Sequence, residues 1–179
     1  YGILMERNGY NVFWSLGTSL FVFAGAAQYA LVGLLVSTIS PLSVFFVILI
    51  INARHLFYGL SMLKRYEKTG ILKWYLMLGL TDETFGVLQP VDETTLEHPK
   101  KYYLYTTLLH HSYWVIGSVL GGILGSLISI ELIGLDFILT ALFVSVFVSQ
   151  AKQSHLVKPA VLGLGVSFVS LIVFPNQFI

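Results

Sequence analysis

Residues 41–63 read PLSVFFVILIINARHLFYGLSML, an apolar run that carries one arginine, Arg54, near its middle. About 20 apolar residues in a helix are enough to cross the hydrocarbon core of a bilayer. A charge at that depth costs about 2.5–3.5 kcal/mol on insertion scales, so such a residue normally faces protein or water and marks a functional site. The run therefore predicts a transmembrane segment and makes Arg54 the first candidate site residue.

The composition of the whole chain extends this prediction. Of its 179 residues, 56% are hydrophobic and 11% are charged, whereas soluble domains carry about 25% charged residues. We expect an all-α, polytopic helical membrane protein with about five to six hydrophobic segments, at least one of them broken or re-entrant. We interpret 1–179 as a single transmembrane domain. Because the chain starts with Tyr1 and ends within an apolar pattern, we expect an excerpt that lacks terminal hydrophobic segments.

The hydrophobic segments fall at 10–37, 41–63, 71–88, 102–130, 135–148 and 161–174. The first is too long for one straight span, and small residues around Gly25 allow either close helix packing or a break in the backbone. On the fourth, Gly117, Gly121 and Gly125 recur every four residues, which predicts a close helix contact.

Segment 71–88 is apolar but contains the polar tetrad TDET at 81–84. If this segment crosses the membrane, the lysines of 100–101 and 152–158 lie on the opposite side from those of 64–73. If it enters and returns, all of them lie on one side, as the positive-inside rule favours. Irregular backbone at depth is tolerated where it is buried in protein or lines a cavity. We therefore prefer a broken or re-entrant segment to a simple crossing.

Three polar positions lie at a similar predicted depth. Arg54 is ten residues from Lys64, Asp82 is nine from Lys73, and His110 is nine from Lys101. At 1.5 Å per residue each is about 14–15 Å from its basic anchor, close to the middle of a core about 30 Å thick. This coincidence predicts one shared site at the bilayer midplane.

Arg54 needs a carboxylate partner at that depth, and Asp82 and Glu83 are the candidates. Helical spacing places Tyr58 on the Arg54 face, and Asn52 and His55 on a neighbouring one. One carboxylate could hold Arg54 while the other faces water. Because apolar surroundings favour the protonated form of a carboxylate, proton coupling is an option. The structural alternatives are an ion pair that only fixes helix packing, and a helix cap at residues 81–82.

Two further places in the sequence complete the candidate set: the possible break at Gly25 and Gln28, and the histidine pair that begins with His110. Gly25 and Gln28 lie where a break would expose backbone amides and carbonyls. The adjacent His110 and His111 could relay protons or bind a metal, but they diverge on a helix, so we expect packing histidines and no metal site.

The remaining polar and aromatic residues point to no enzyme. The aromatic residues of the fourth segment are expected to serve as an interfacial belt and in packing, and not as a substrate cage; they are Tyr102, Tyr103, Tyr105, Tyr113 and Trp114. No catalytic motif or cysteine is present, so we expect neither an enzyme nor a cofactor. The net charge of +1 indicates no nucleic-acid partner.

Several of these stretches resemble the AzlC/YgaZ family, the large subunit of branched-chain amino-acid exporters. The matching blocks are FAGAAQ at 23–28, NARHLFYGLS at 52–61, TDETF at 81–85 and, more weakly, LDFILTALF at 135–143. The resemblance implies a multi-pass permease of the bacterial cytoplasmic (inner) membrane. It would export leucine, isoleucine and valine, with methionine as a further candidate, and would have a small hydrophobic AzlD/YgaH-like partner subunit.

The leading hypothesis is a secondary exporter of branched-chain or other neutral amino acids. The substrate carboxylate would be met by Arg54 or by amides near Gly25, and its ammonium by Asp82, Glu83 or backbone carbonyls. The competing hypotheses are an ion or small-solute channel, with the polar residues as its constriction, and a structural subunit of a transport complex.

Overall fold

The computed structural model describes residues 1–127, the single positions 137, 141, 144 and 148, and residues 157–173. Residues 1–131 and 132–179 form two compact units, and the account below concerns the first unless stated. Most of the predicted segment 135–148, and the lysine at 152, lie outside the described residues.

All regular elements of the described residues are helical, which confirms the predicted all-α class. The elements are α1 (Gly2–Arg7), α2 (Val12–Phe21), α3 (Gly25–Leu35), α4 (Pro41–Asn52), α5 (Arg54–Glu67), α6 (Leu72–Leu78), α7 (Asp82–Leu88), a short 3-10 helix (Glu93–Thr95), α8 (Pro99–Leu127) and, in the second unit, α9 (Val157–Val173). No single helix among them combines the length and hydropathy needed to cross a membrane, but α4 and α5 do so together across a 45° bend.

Breaks interrupt the first and third predicted segments, as the sequence suggested. The first break, at 22–24, contains Phe23 with a φ of +40°, a left-handed conformation that is uncommon for a bulky residue. The second, at 79–81, separates α6 from α7. Segments 10–37 and 71–88 are therefore each a pair of short helices.

The predicted segment 41–63 is also divided, because the chain bends by 45° between α4 and α5. The imidazole Nδ1 of His55 lies 3.1 Å from the carbonyl oxygen of Asn52, and the amide of Ala53 bonds the oxygen of Ile50 instead of Leu49. A side chain that occupies a backbone carbonyl is a known cause of a sharp kink. The bend places Arg54 at the first position of α5.

The direction of α7 is given by two arginines of α5. Arg54 at the start of α5 pairs with Asp82 at the start of α7, and Arg65 near the end of α5 donates to the carbonyl of Leu88 at the end of α7, at 2.8 Å. The two helices therefore run in the same direction. Since α6 starts five positions after α5 ends, the α6–α7 segment leaves from the C-terminal end of α5 and returns to it.

A compact apolar cluster holds this arrangement together. Its buried members come from α5, α6, α7, α8 and the break between α6 and α7: Met62, Tyr66, Leu76, Leu80, Leu88 and Tyr103. Burying a large apolar side chain contributes about 1.5–3 kcal/mol, so six such residues fix these four helices against one another.

The predicted glycine contact on α8 is confirmed at two of its three positions. A Cβ at Gly121 or Gly125 would lie 3.3 or 3.1 Å from the backbone of α1, whereas one at Gly117 would meet no described atom within 4 Å. Residues four apart drift by about 40° around a helix, so three of them cannot all face a helix as short as α1. The third close approach of α8 is made instead by Gly122, which lies against Val12 of α2.

The outer surface of the described residues is strongly apolar. No residue of α4 is buried, and the apolar side chains of residues 161–173 in the second unit are exposed, Phe168 at 66%. Large exposed apolar surfaces mark contacts with a membrane or another protein.

Candidate substrate site

Arg54 and Asp82 form an ion pair where α5 and α7 begin. The guanidinium Nη1 lies 2.6 Å from the carboxylate Oδ2, and the two side chains are 27% and 14% exposed. Hydrogen bonds between two charged groups are shorter and stronger than neutral ones. Of the two carboxylates that the sequence offered, the structure pairs Asp82 with Arg54 and leaves Glu83 exposed.

The local sequence explains why Asp82 occupies this position. Thr81 is the N-cap of α7, and its hydroxyl oxygen accepts from the amide of Thr84 at 3.3 Å. Threonine is a favourable cap, and acidic residues in the first turn interact well with the helix dipole. The cap ends the break at 79–81 and makes Asp82 the first helical residue. The predicted cap and the predicted ion pair are both present.

His110 is tied to the same turn of α7. Its Nδ1 lies 3.0 Å from the hydroxyl of Thr84, and the hydroxyls of Thr81 and Thr84 lie 3.2 Å apart. His110 is therefore linked, through Thr84, to the turn of α7 that carries Asp82. In the described part of the chain, no three His, Asp or Glu residues are arranged to hold a metal ion.

Aromatic rings line one side of the ion pair. Tyr58 stacks on Phe85 with a centroid distance of 4.5 Å and an interplanar angle of 13°, and His55 meets the edge of Tyr58 at 5.8 Å. Tyr58 is close enough to interact electrostatically with both Asp82 and Arg54. The Arg54–Asp82 ion pair and the apolar Tyr58–Phe85 stack therefore lie next to each other.

Asn52 lies at the bend before this site. Its backbone oxygen is the contact of His55, while its side-chain oxygen is buried with no hydrogen bond to the described residues.

A second polar group forms at the break between α2 and α3. Gln28 is fully buried, and its side-chain oxygen accepts from the Trp114 indole N–H at 2.9 Å and from the Ala24 amide at 3.2 Å. Its amide nitrogen donates to Ser19 at 3.4 Å. Gln28 therefore satisfies the backbone at the start of α3 and fixes Trp114.

Gly25 allows α8 to approach this break. A Cβ at Gly25 would lie 3.3 Å from the indole of Trp114. Of the two roles that the sequence allowed, a break and close packing, the structure shows both.

Sequence reasoning expected an interfacial belt and packing from Trp114 and Tyr103, and the structure shows the packing for both residues. Trp114 bonds Gln28, and Tyr103 is 1% exposed within the apolar cluster. Trp114 lies four positions after His110, on the same helix face. This spacing could have identified Trp114 as a candidate from the sequence.

Helix α8 connects the two polar groups. His111 stacks on Phe23 at 4.3 Å, and its Nδ1 lies 3.2 Å from the Tyr75 hydroxyl. His110 contacts α7 and Trp114 contacts α3. Sequence reasoning missed Phe23, Tyr75 and Thr84, which make these links. It also missed Ser19, which bonds Gln28, and Phe85, which stacks on Tyr58.

These features define a class: a helical membrane protein whose polar residues meet at breaks in its apolar helices, as in transporters with discontinuous helices. The AzlC protein family model matches residues 1–128, and the chain belongs to this family.

Relatives named as membrane proteins extend over almost the whole chain. The branched-chain amino acid transport protein AzlC of Bacillus subtilis is 39% identical over 100% of this chain and 71% of its own length. An "uncharacterized membrane protein" of Helicobacter pylori strain 26695 is 37% identical over 99% and 78%. The inner membrane protein YgaZ of Escherichia coli is 28% identical over 96% and 74%. No solved structure shows a significant match.

The family and its named relatives confirm the resemblance inferred from the motifs. The chain is a membrane transport protein and not an enzyme.

Proposed function

We propose that this protein exports branched-chain amino acids across the bacterial cytoplasmic membrane as a multi-pass permease, and that Arg54 and Asp82 bind the substrate. The observation that carries the proposal is the ion pair at the break between α6 and α7, next to the Tyr58–Phe85 stack. The name of the Bacillus subtilis relative supports branched-chain amino acids as the cargo.

In this proposal α6 and α7 form a re-entrant hairpin. Both of its ends lie near the C-terminal end of α5, which carries Lys64 and is followed by Lys68. The hairpin then keeps the lysines at 64–73 and 100–101 on one side, as the positive-inside rule favours. Its tip carries Asp82 to the level of Arg54, about 15 Å from Lys64 along α5.

The chemistry of a zwitterion fits this arrangement. Its carboxylate pairs with Arg54 and its ammonium pairs with Asp82, so binding exchanges one ion pair for two. Little charge is then left uncompensated at depth, where an unpaired charge is costly. The Tyr58–Phe85 stack offers an apolar surface for a branched side chain. A substrate with only one of the two charged groups cannot make this exchange.

The other candidate residues support the site without touching the substrate. His110 holds the first turn of α7 through Thr84. Gln28 and Gly25 fix the break between α2 and α3 against Trp114. His55 and Asn52 hold the bend that starts α5 at Arg54.

Glu83 is the residue that we assign to proton coupling. It adjoins Asp82 and is exposed, so it can exchange a proton without breaking the ion pair. The partner implied by the family is a small hydrophobic AzlD-like subunit, and the exposed apolar surface of α4 offers it a contact.

Leucine efflux from cells tests the proposal. Arg54→Ala is expected to lower the efflux rate at least about thirtyfold, because truncating one partner of a buried charge pair costs about 2–5 kcal/mol. Lys101→Ala, which removes an exposed charge, is the control and should retain efflux. Both variants are compared at equal membrane levels. Normal efflux from Arg54→Ala would remove Arg54 from the mechanism.

Counterflow in liposomes separates the competing functions. Saturable counterflow of labelled leucine is expected from a permease. A conductance that does not depend on substrate would favour the channel, and transport by the partner subunit alone would favour a structural role for this chain.

A further inference from the structure

A cavity of about 370 Å³ lies apart from the candidate substrate site, where the end of α5, the loop after α7 and the start of α8 meet. Basic residues dominate its charged lining, which comprises Arg65, Lys68, Glu93 and Lys100. Arg65 lies about 16 Å from Arg54 along α5. Nothing in the proposed transport mechanism uses this cavity.

The negative charge of Glu93, the acidic residue in the lining, is already neutralised. The Nε of Arg65 lies 3.3 Å from the carboxylate of Glu93, and a second nitrogen of Arg65 donates to the carbonyl of Leu88. Arg65 and Glu93 therefore neutralise each other. Lys68 and Lys100 then leave two positive charges in excess, both on exposed residues whose ammonium groups can reach a ligand.

A neighbouring carboxylate, that of Asp92, does not line the cavity and is occupied by Thr94. It accepts from the amide and the hydroxyl of Thr94, at 2.9 and 2.8 Å. These two hydrogen bonds hold the pKa of Asp92 below its usual range.

Two further kinds of donor face the cavity. Tyr103 is 1% exposed, and its hydroxyl lies against Glu93 but makes no hydrogen bond among the described residues. The cavity also includes the start of α8 at Pro99 and Lys100. The amides of Lys101 and Tyr102 bond the carbonyl of His98, whereas the amide of Lys100 has no backbone partner in the described part of the chain. The start of a helix is a favourable environment for an anion.

We propose that this cavity binds a phosphate group, supplied either by the headgroup of an anionic phospholipid or by free phosphate. Lys68 and Lys100 neutralise its charge, while the hydroxyl of Tyr103 and the amide of Lys100 donate to its oxygens. Because Arg65 joins the cavity to the end of α7, the bound group also supports the returning end of the α6–α7 segment.

Lipid binding to the purified full chain in detergent tests this assignment. Native mass spectrometry compares phosphatidylglycerol with phosphatidylcholine, with inorganic phosphate as a competitor. The double variant Lys68→Gln/Lys100→Gln is expected to weaken phosphatidylglycerol binding about tenfold or more. The matched control, Lys64→Gln/Lys101→Gln, removes the same charge from exposed residues outside the cavity and should bind as the unaltered protein does.

The outcomes separate the two sources of the phosphate. Displacement of the lipid by inorganic phosphate, or cavity-dependent binding of phosphate alone, would indicate a general phosphate site. Lipid binding that depends on the cavity and that inorganic phosphate does not displace would identify the phospholipid headgroup as the ligand. Equal weakening in both double variants, or no preference for phosphatidylglycerol together with no phosphate binding, would overturn the proposal. Equal unfolding temperatures of the ligand-free variants confirm that folding is unaffected.

Discussion

At the scale of single residues, the account depends on Arg54 and its partner. The need for a carboxylate followed from the cost of a charge within an apolar run. The choice between Asp82 and Glu83 did not follow from the sequence, since adjacent residues on a helix point about 100° apart. It was decided by Thr81, which caps α7 and makes Asp82 the residue at the break.

A double-mutant cycle on this pair measures its energy. Arg54→Ala and Asp82→Ala are each expected to lower the free energy of unfolding, because each leaves a largely buried charge without its partner. The double variant should lose less than the sum, with a coupling energy of about 1–3 kcal/mol. Unfolding in detergent measures all three variants. Glu83→Ala is the control and should change stability by about 0.5 kcal/mol or less. Additive losses from the two single variants would show that the pair contributes no coupling.

At the scale of elements, the sequence predicted two of the three interruptions. The small residues near Gly25 and the polar tetrad at 81–84 were visible signals of a break. The bend at Ala53 had no such signal in the sequence, because neither glycine nor proline marks it. It arises from a side-chain contact, that of His55 with the carbonyl of Asn52, which depends on the rotamer of His55 and not on residue type alone.

The break between α6 and α7 depends on close contact with α8. A Cβ at Gly79 would overlap the methyl group of Thr107, so Gly79→Ala is expected to lower the free energy of unfolding by about 1–3 kcal/mol. Adding Thr107→Ser removes that methyl group and should restore part of the loss. Gly86→Ala, whose new Cβ would meet no described atom within 4 Å, should be neutral or slightly stabilising. Equal effects at Gly79 and Gly86 would contradict the packing described for this break.

At the scale of the whole molecule, the arrangement of segments was predictable in part. The distribution of lysines alone favours a broken or re-entrant 71–88 segment. The contacts of Arg54 and Arg65 then give α7 the same direction as α5. The sequence could not provide the link through α8, because the partners of His110 and Trp114 lie 26 and 86 positions away along the chain.

Site-specific labelling of single cysteines tests the central claim, that α6 and α7 enter and leave the membrane on one side. The chain has no native cysteine, so Glu67→Cys and Gln89→Cys, at exposed positions flanking the segment, report its two ends. Thr38→Cys, in the exposed loop before α4, reports the other side of the α4–α5 pair. A membrane-impermeant thiol reagent is predicted to label positions 67 and 89 from the same side and position 38 from the opposite side. Labelling of 67 and 89 from opposite sides would show that the segment crosses the membrane, and would contradict the re-entrant hairpin.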